Sequence, residues 1–574
     1  MNVIILMNDS LRRDHVAAYG DPAPWTRLGR AADEPFIHTP HLDRLATQSA
    51  LFDRFYVSSY PTIPCRTDIF TGRYSFPHRP WQPLEPDDVV LSELVSGAGY
   101  LPVLLFDTPA LGHDDYNFTR GFAGWEWIRG QHADRYNVDA VDIPLPAAPY
   151  KLRQSSFQGP AATQLYLRNT AGRVYERDWM CARTISAATD WLERNHRRGR
   201  PGGPPGFVLY VDMWDPHEPF DAPAFDVARY ADPSFSGDQV IYPQYGRPDY
   251  LSPDEHNHVR ALYAALVTLS DRWVGHLLDK LDVLGLSDNT LVIHLTDHGH
   301  LFGDHDLQGK PGGTLGRLYE PSIRIPLMIR HPQGLGAGKR IAGLTQHVDL
   351  LSTILEFLDV PPPPDVEGRS LWPLIRGETD RVRTHAFSGR YPIALLSGQR
   401  GQATQVATFD GAAATDTDAT RLVEALTVTT EEWAFIAGPR GHPSELYRLG
   451  YDPAQERNVL AEHPTVAREL HAALLGFLEN VGTAESRIAP FRGDVTARDA
   501  ERAPPALAAD TPLFVAEDAQ GTTLTFRSEA TARLMGFTND GSALRQTTFG
   551  ALARTNPRAL FCTPTQYYRL SDLA

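Results

Sequence analysis

Cysteine is scarce in this chain: 574 residues carry three, Cys65, Cys181 and Cys562. An odd, sparse set builds no disulfide framework and fits a reducing compartment. Positive charge is short as well. Lys and Arg number 54 against 70 Asp and Glu, a formal net charge of −16. That argues against a general nucleic-acid surface, because phosphate backbones select clustered Lys and Arg. No run approaches the ~20 apolar residues of a membrane span. The opening run Met1 to Met7 has no basic flank and ends in Asn8-Asp9, so it reads as a buried strand and not as a signal peptide. Cytoplasmic is the expected location. Internal repeats and low-complexity tracts are missing too. An acidic protein that handles an anion must then gather its positive charge locally, from a metal ion or from a few Arg, Lys and His.

What is present is a chain long enough for a large core and more than one domain. Apolar, β-branched runs recur, and each ends in polar groups. Val3 to Met7 ends in Asn8-Asp9, Leu101 to Phe106 in Asp107-Thr108, Phe207 to Val211 in Asp212 and then Asp215-Pro216-His217, and Leu291 to Leu295 in Thr296-Asp297-His298. Helical spacing holds over residues 176–195 and 257–284, and again near 464–480. Strands alternating with helices predict an α/β fold, a mostly parallel sheet covered by helices on both faces. Ligands in such sheets sit beyond the carboxyl ends of the strands. Those ends carry Asp9, Asp107, Asp215, His217, Asp297 and His298. Residues 215–255 read as a long surface excursion. The pattern predicts a catalytic domain over 1–384, a small α+β domain over 385–480, and a linker with a compact tail over 481–574. That tail holds a strand near Gly521 to Phe526 and a helix near Ser528 to Met535.

The organising stretch runs from Ser59 to Arg73 (SYPTIPCRTDIFTGR). Pro64 suits the first position of a helix and Gly72 the left-handed residue past its end. Thr62 then precedes the helix N-terminus, where free N–H groups favour an anion. Arg66 leans back over the same end, its fork able to grip a tetrahedral anion. Hydroxyl, helix terminus and Arg together point to attack on a phosphate or sulfate ester, although the pattern alone also fits a plain capped helix start.

Asp9, Asp297 and His298 converge if their strands share a sheet. With the Thr62 oxygen, and a carbonyl oxygen from Asn8, they would hold one divalent cation. Oxygen ligands suit Ca or Mg, and an added imidazole tilts the choice towards Mn or Zn. Such a cation would make the Thr62 hydroxyl a nucleophile. Arg66 and Lys310 would offset charge on the substrate oxygens, and His217 would protonate the leaving oxygen. His347 would do the same or contact the substrate. A second ion between His217 and His347 stays open.

These residues resemble the sulfatases of the alkaline phosphatase superfamily. That family carries Cys/Ser-x-Pro-x-Arg followed by Thr-Gly, matched by Thr62 to Arg66 with Thr71-Gly72. Its first strand end matches Asn8-Asp9, its Asp-His-Gly matches Asp297 to Gly299, and its downstream Lys matches Lys310. Its Asp-Pro-His-x-Pro matches Asp215 to Pro219. The resemblance covers residues 1–480 and leaves 481–574 outside. It implies a metal-dependent ester hydrolase acting on a small anionic substrate, as a monomer or a homo-oligomer.

The departure lies at the nucleophile. Sulfatases oxidise their Cys or Ser to formylglycine, and Thr62, a secondary alcohol, cannot yield an aldehyde. Cys65 stands outside the modification register. Asp107-Thr108-Pro109 and Asn117 to Phe122 resemble the phosphonate monoester hydrolase-like branch, with Ala110 where that branch often has His. The expected activity is therefore hydrolysis of phosphate diesters or phosphonate monoesters by unmodified Thr62. The alternatives are a sulfuric ester hydrolase and a catalytically silent relative that binds an anion.

Overall fold

A computed structural model of the protein describes residues 1–25, 36–112, 116–132, 134–137, 143–153, 162–311, 316–391, 424–439, 442–496, 507–517, 523–527, 544–556, 559–562 and 567–570. The apolar runs pair with one another in a sheet of eight strands: β1 (Asn2–Asn8), β2 (Ala50–Phe52), β3 (Leu101–Phe106), β4 (Gly124–Trp127), β5 (Phe207–Met213), β6 (Thr290–Thr296), β7 (Leu327–Arg330) and β8 (Arg340–Ile341). Their order is β8-β2-β7-β6-β1-β5-β3-β4. Every neighbouring pair is parallel except those of β7, which runs against both β6 and β2. The expected mostly parallel α/β sheet is what forms.

Period-two alternation divides each strand between two cores. Ile4 and Leu6 of β1 pack with Cys181 and Ile185 of helix α2 (Met180–Asn195) and Leu266 and Leu277 of α3 (Pro253–Val283). Val3, Ile5 and Met7 face Ile69 and Phe70 of α1 (Thr62–Thr71) and Leu350 and Leu351 of α4 (Asp349–Phe357). Each such side chain contributes about 1.5–3 kcal/mol by leaving water. Helices on both faces are why the strands read as continuous apolar runs.

Two helix starts differ from the sequence expectation. α3 begins at Pro253 and not near 257, because Ser252 caps it: its Oγ accepts the Glu255 N–H at 3.2 Å, and Glu255 Oε2 accepts the Ser252 N–H at 2.9 Å. α1 begins at Thr62, with the Cys65 N–H donating to the Pro61 carbonyl at 3.1 Å. Pro64 therefore sits within the first turn, where its missing N–H is still not needed. All ten residues of α1 are buried, and the helix ends at Gly72 with φ +67°.

A smaller antiparallel sheet follows, β9 (Ala386–Ser388), β10 (Leu426–Thr429), β11 (Trp433–Ala437) and β12 (Glu445–Arg448), joined in that order. Helix α5 (Pro464–Asn480) covers it through Leu470, Leu474 and Leu478, in a core that also takes Tyr74, Phe76 and Val348. A five-stranded sheet lies beyond residue 510, and its Leu524 and Phe526 bury against the α2–α3 side of the large sheet. Gly521, Thr522 and the helix expected over Ser528 to Met535 fall outside the described residues. Residues 215–252, expected on the surface, are irregular apart from a short helix, Ala224–Val227, and bury Phe220, Val240 and Tyr242 in the α2–α3 core. No helix among the described residues is long and apolar enough to cross a membrane.

Candidate active site

Strands β1 and β6 run side by side, with Asn8 opposite Thr296. That register brings Asp9 and Asp297 together one residue past the sheet. Asp9, Asp297 and His298 each offer a ligand atom within 4.8 Å of the other two, the only such group among the described residues. All three are fully buried. Ser10, at φ +62°, turns the chain so that its N–H donates to Asp297 Oδ1 at 2.9 Å and its hydroxyl to Asp9 Oδ1 at 2.8 Å.

Asp9 Oδ2 accepts no hydrogen bond despite full burial. A buried carboxylate oxygen with no hydrogen bond is costly, and beside the Arg66 guanidinium 3.2 Å away a bound cation would answer it further. The His298 ring is set for the same purpose. Its Nδ1 donates to the Gly299 carbonyl at 2.9 Å, which leaves the Nε2 lone pair facing Asp297 Oδ2 at 3.4 Å. Burial pulls His298 down to about 4, only partly countered by Asp297, so the ring is neutral and free to ligate. Burial and the adjacent Asp297 push Asp9 well up. Against its own burial, Asp297 is held low by His298 and Arg66. The donor set of two carboxylates and one imidazole fits a divalent cation.

Thr62 is the first residue of α1, 2 % exposed, with Oγ1 at 3.3 Å from His298 Nε2. Arg66, one turn on, is also buried. The expectation that its fork faces a tetrahedral anion is corrected: the fork faces Asp212, with Nε donating to Oδ2 at 2.8 Å and Nη2 to Oδ1 at 2.7 Å. Nη1 donates to Asp297 Oδ2 at 2.7 Å and to the Thr62 carbonyl at 3.1 Å, and lies 3.2 Å from Asp9 Oδ2. In this arrangement Arg66 braces the ends of α1 and β6.

Asn8 does not join the cluster. Its Oδ1 accepts from His294 Nε2 at 3.0 Å, its Nδ2 donates to Asp215 O and Ser270 Oγ at 2.7 Å each, and its carbonyl accepts the Thr296 hydroxyl at 2.5 Å. With every oxygen engaged, it spans three elements behind the site. His347 is likewise set back. Its Nε2 donates to the Thr296 carbonyl at 3.1 Å, and its ring stands edge-on to Phe55. There it steadies the end of β6. Among the described residues, His217 and His347 share no group of three or more candidate metal ligands.

Lys310 comes to the cluster from the far side, its Nζ donating to Ser10 Oγ at 3.1 Å and to Glu218 Oε2 at 3.4 Å. His217 lies beside it on the β5 loop, tilted 34° against the Trp214 ring with centroids 3.7 Å apart. Its Nδ1 donates to the Glu218 carbonyl at 2.7 Å, and burial pulls its pKa well down. Asp107 and Asp215 serve the scaffold. Asp107 accepts from the Trp214 N–H and the Thr184 hydroxyl, and Asp215 from Gln131 Nε2 and the Cys181 N–H. Cys65 points its thiol at the carbonyls of Ser59 and Asp297, and burial pushes the thiol up.

Sequence reasoning assigned no role to Asp212, Ser10 or Glu218. Asp212 and Glu218 carried a signal that was available: acidic groups at the end of a buried strand and inside the Asp-Pro-His-x-Pro quintet. Ser10 carried none.

Comparison with known proteins agrees with this geometry. The sulfatase family model matches residues 1–360. The multifunctional alkaline phosphatase superfamily protein PehA of Trinickia caryophylli is 28 % identical over 441 residues, covering 67 % of this chain and 79 % of that protein. Human arylsulfatase K is 23 % identical over 468 residues, covering 76 % and 77 %. Among solved structures, the phosphonate monoester hydrolase of Agrobacterium radiobacter superposes with a TM-score of 0.56 at 21 % identity, covering 84 % of this chain and 96 % of that one. A family match over more than half of the chain, on a fold whose strand ends gather two carboxylates and an imidazole, leads to one assignment: this chain belongs to the sulfatase family and is a hydrolase acting on ester bonds.

Proposed function

We propose that the enzyme hydrolyses phosphate diesters or phosphonate monoesters through the unmodified hydroxyl of Thr62, beside one divalent cation held by Asp9, Asp297 and His298. The observation that carries this reading is the position of Thr62: a buried hydroxyl on the first residue of a helix, 3.3 Å from the His298 Nε2 that faces the carboxylates. Two carboxylates and an imidazole suit Mn, Zn or Ca. When bound, that ion supplies Lewis acidity, lowering the hydroxyl pKa and offsetting charge on the ester oxygens.

The chain's own residues do the rest. Thr62 Oγ1 bonds to phosphorus as the ester oxygen leaves, and water then attacks phosphorus and frees Thr62. Arg66 holds the Thr62 carbonyl and Asp297 in register. Lys310 presents its ammonium to the developing negative charge. His217 moves the proton. Its Nδ1–H stays hydrogen-bonded to the Glu218 carbonyl, so Nε2 is the atom that takes up the proton released by the Thr62 hydroxyl and returns it to the leaving oxygen.

Threonine suits phosphorus better than sulfur. A phosphothreonine is cleaved by attack at phosphorus, whereas a sulfothreonine has no hemiacetal through which to expel sulfate. Initial rates on an aryl phosphonate monoester, an aryl phosphodiester and an aryl sulfate test this. The phosphorus esters should be the faster substrates, and Thr62→Ala should lose about a thousandfold or more on them. An aryl sulfate turned over far faster than both would replace this reading with sulfuric ester hydrolysis.

A further inference from the structure

Next to the cation cluster lies a second knot of charge centred on Glu218, the variable residue of the Asp-Pro-His-x-Pro quintet. Its carboxylate is fully buried, and its two oxygens are divided between two sets of partners. Oε2 lies 3.3 Å from His217 Nδ1, 3.4 Å from Lys310 Nζ and 3.7 Å from His300 Nδ1. Oε1 accepts the Tyr245 hydroxyl and lies 3.8 Å from Arg153 Nη1. The Arg153 guanidinium is stacked 3.9 Å over the Tyr245 ring, with its side chain 35 % exposed. Burial alone would push this carboxyl up, but His217, Lys310, His300 and Arg153 together hold it well below the ordinary range. A second metal ion is not what this knot is built for, because the Lys310 ammonium already supplies the positive charge.

We infer that Glu218 is a positioning residue that fixes the Lys310 ammonium against Ser10, and so against the nucleophile cluster. The inference rests on the reading above, in which Lys310 acts on the substrate. The physical need is plain. A lysine is a point charge on a flexible four-carbon stem, and burial disfavours its charged form. Among the described residues Lys310 donates to two acceptors, the Ser10 hydroxyl and Glu218, and of these Glu218 brings the countercharge. Tyr245, bonded to the opposite oxygen, keeps the carboxylate from rotating away.

The test is a double-mutant cycle on kcat/KM with an aryl phosphonate monoester. Glu218→Gln keeps the shape and the Tyr245 bond while removing the charge. It should lose about 10–100-fold, mostly in kcat, the scale of a displaced catalytic group. In the Lys310→Ala background the same change should cost no more than about threefold. Tyr245→Phe, a milder change, should lose several-fold in the parent and nothing in Lys310→Ala. Equal losses from Glu218→Gln in both backgrounds overturn the inference, since a merely structural carboxylate is felt with or without Lys310. A Lys310→Ala enzyme with parental turnover overturns the reading of Lys310 and this inference with it. Should Glu218→Gln fail to fold, the Tyr245→Phe cycle decides the matter by the same criterion.

Discussion

Asp212 grips one edge of the Arg66 guanidinium with both carboxylate oxygens, at 2.8 Å to Nε and 2.7 Å to Nη2, deep in the protein where neither side chain meets solvent. Planar fork against planar carboxylate is the strongest geometry such a pair adopts. The third arm of Arg66 goes to Asp297. Removing the arginine therefore strands several buried carboxylates at once. Arg66→Ala should lose about 3–5 kcal/mol of stability, the cost of breaking a buried ion pair from one side. Urea unfolding checks this, and a loss below 1 kcal/mol would mean that the brace is not structural.

Asp9 and Asn8 are neighbours in sequence with opposite fates. Asp9→Asn should remove the bound divalent ion, and with it the melting-temperature rise that Mn gives a chelator-treated enzyme. Asn8→Ala should keep the metal content and instead lose about 1–3 kcal/mol, because its partners His294, Ser270 and the Asp215 carbonyl are left unpaired. Metal analysis of the two purified variants, alongside their melting curves, separates ligand from scaffold.

His294 is fully buried and held down to about 3 by that burial. A free histidine titrates near 6.5. The folded value lies below the unfolded one, so the stabilisation is present above pH 6.5 and is lost as pH falls from there towards 3. Each such group steepens the acid loss by up to about 1.4 kcal/mol per pH unit. His294→Gln should flatten the fall in unfolding free energy between pH 6.5 and 5, even if the variant is less stable at pH 7.5. An unchanged slope would contradict the burial of a neutral ring.

Cys65 lies three residues from Thr62 with its thiol on two backbone carbonyls. A buried thiol with a raised pKa is a poor nucleophile. Native enzyme should resist alkylation at Cys65, and Cys65→Ala should keep turnover within a few-fold of the parent. Inactivation by Cys65→Ala in a folded enzyme would move the chemistry from Thr62 to the cysteine.

Much of this molecule was legible before any coordinates, for reasons that differ by residue. Continuous apolar strands ending in Asp or His fixed the sheet and its business end, because a parallel sheet buries both faces and leaves only its edge for polar groups. Asp9, Asp297 and His298 followed from that logic. Asn8 did not, because a strand-end amide serves equally as ligand or as tie, and only the position of His294 decides between them. The aim of the Arg66 fork depended on Asp212, 146 residues away. Spacing along one helix cannot reveal such a partner. The start of α3 was legible in Ser252 and Glu255, a capping box hidden by the proline between them. The folding of residues beyond 510 into a five-stranded sheet was only partly legible, since short strands there carry little periodicity.

The central claim is that Thr62 carries the substrate's phosphorus during turnover. Metal-loaded enzyme mixed with an aryl phosphonate monoester, quenched in acid within the first turnover and digested, reads this directly by peptide mass spectrometry. The account predicts a phosphonyl group on the peptide that contains Thr62, mapped to that side chain and missing from Thr62→Ala. Full single-turnover hydrolysis by Thr62→Ala, or the adduct on any other residue, would contradict it.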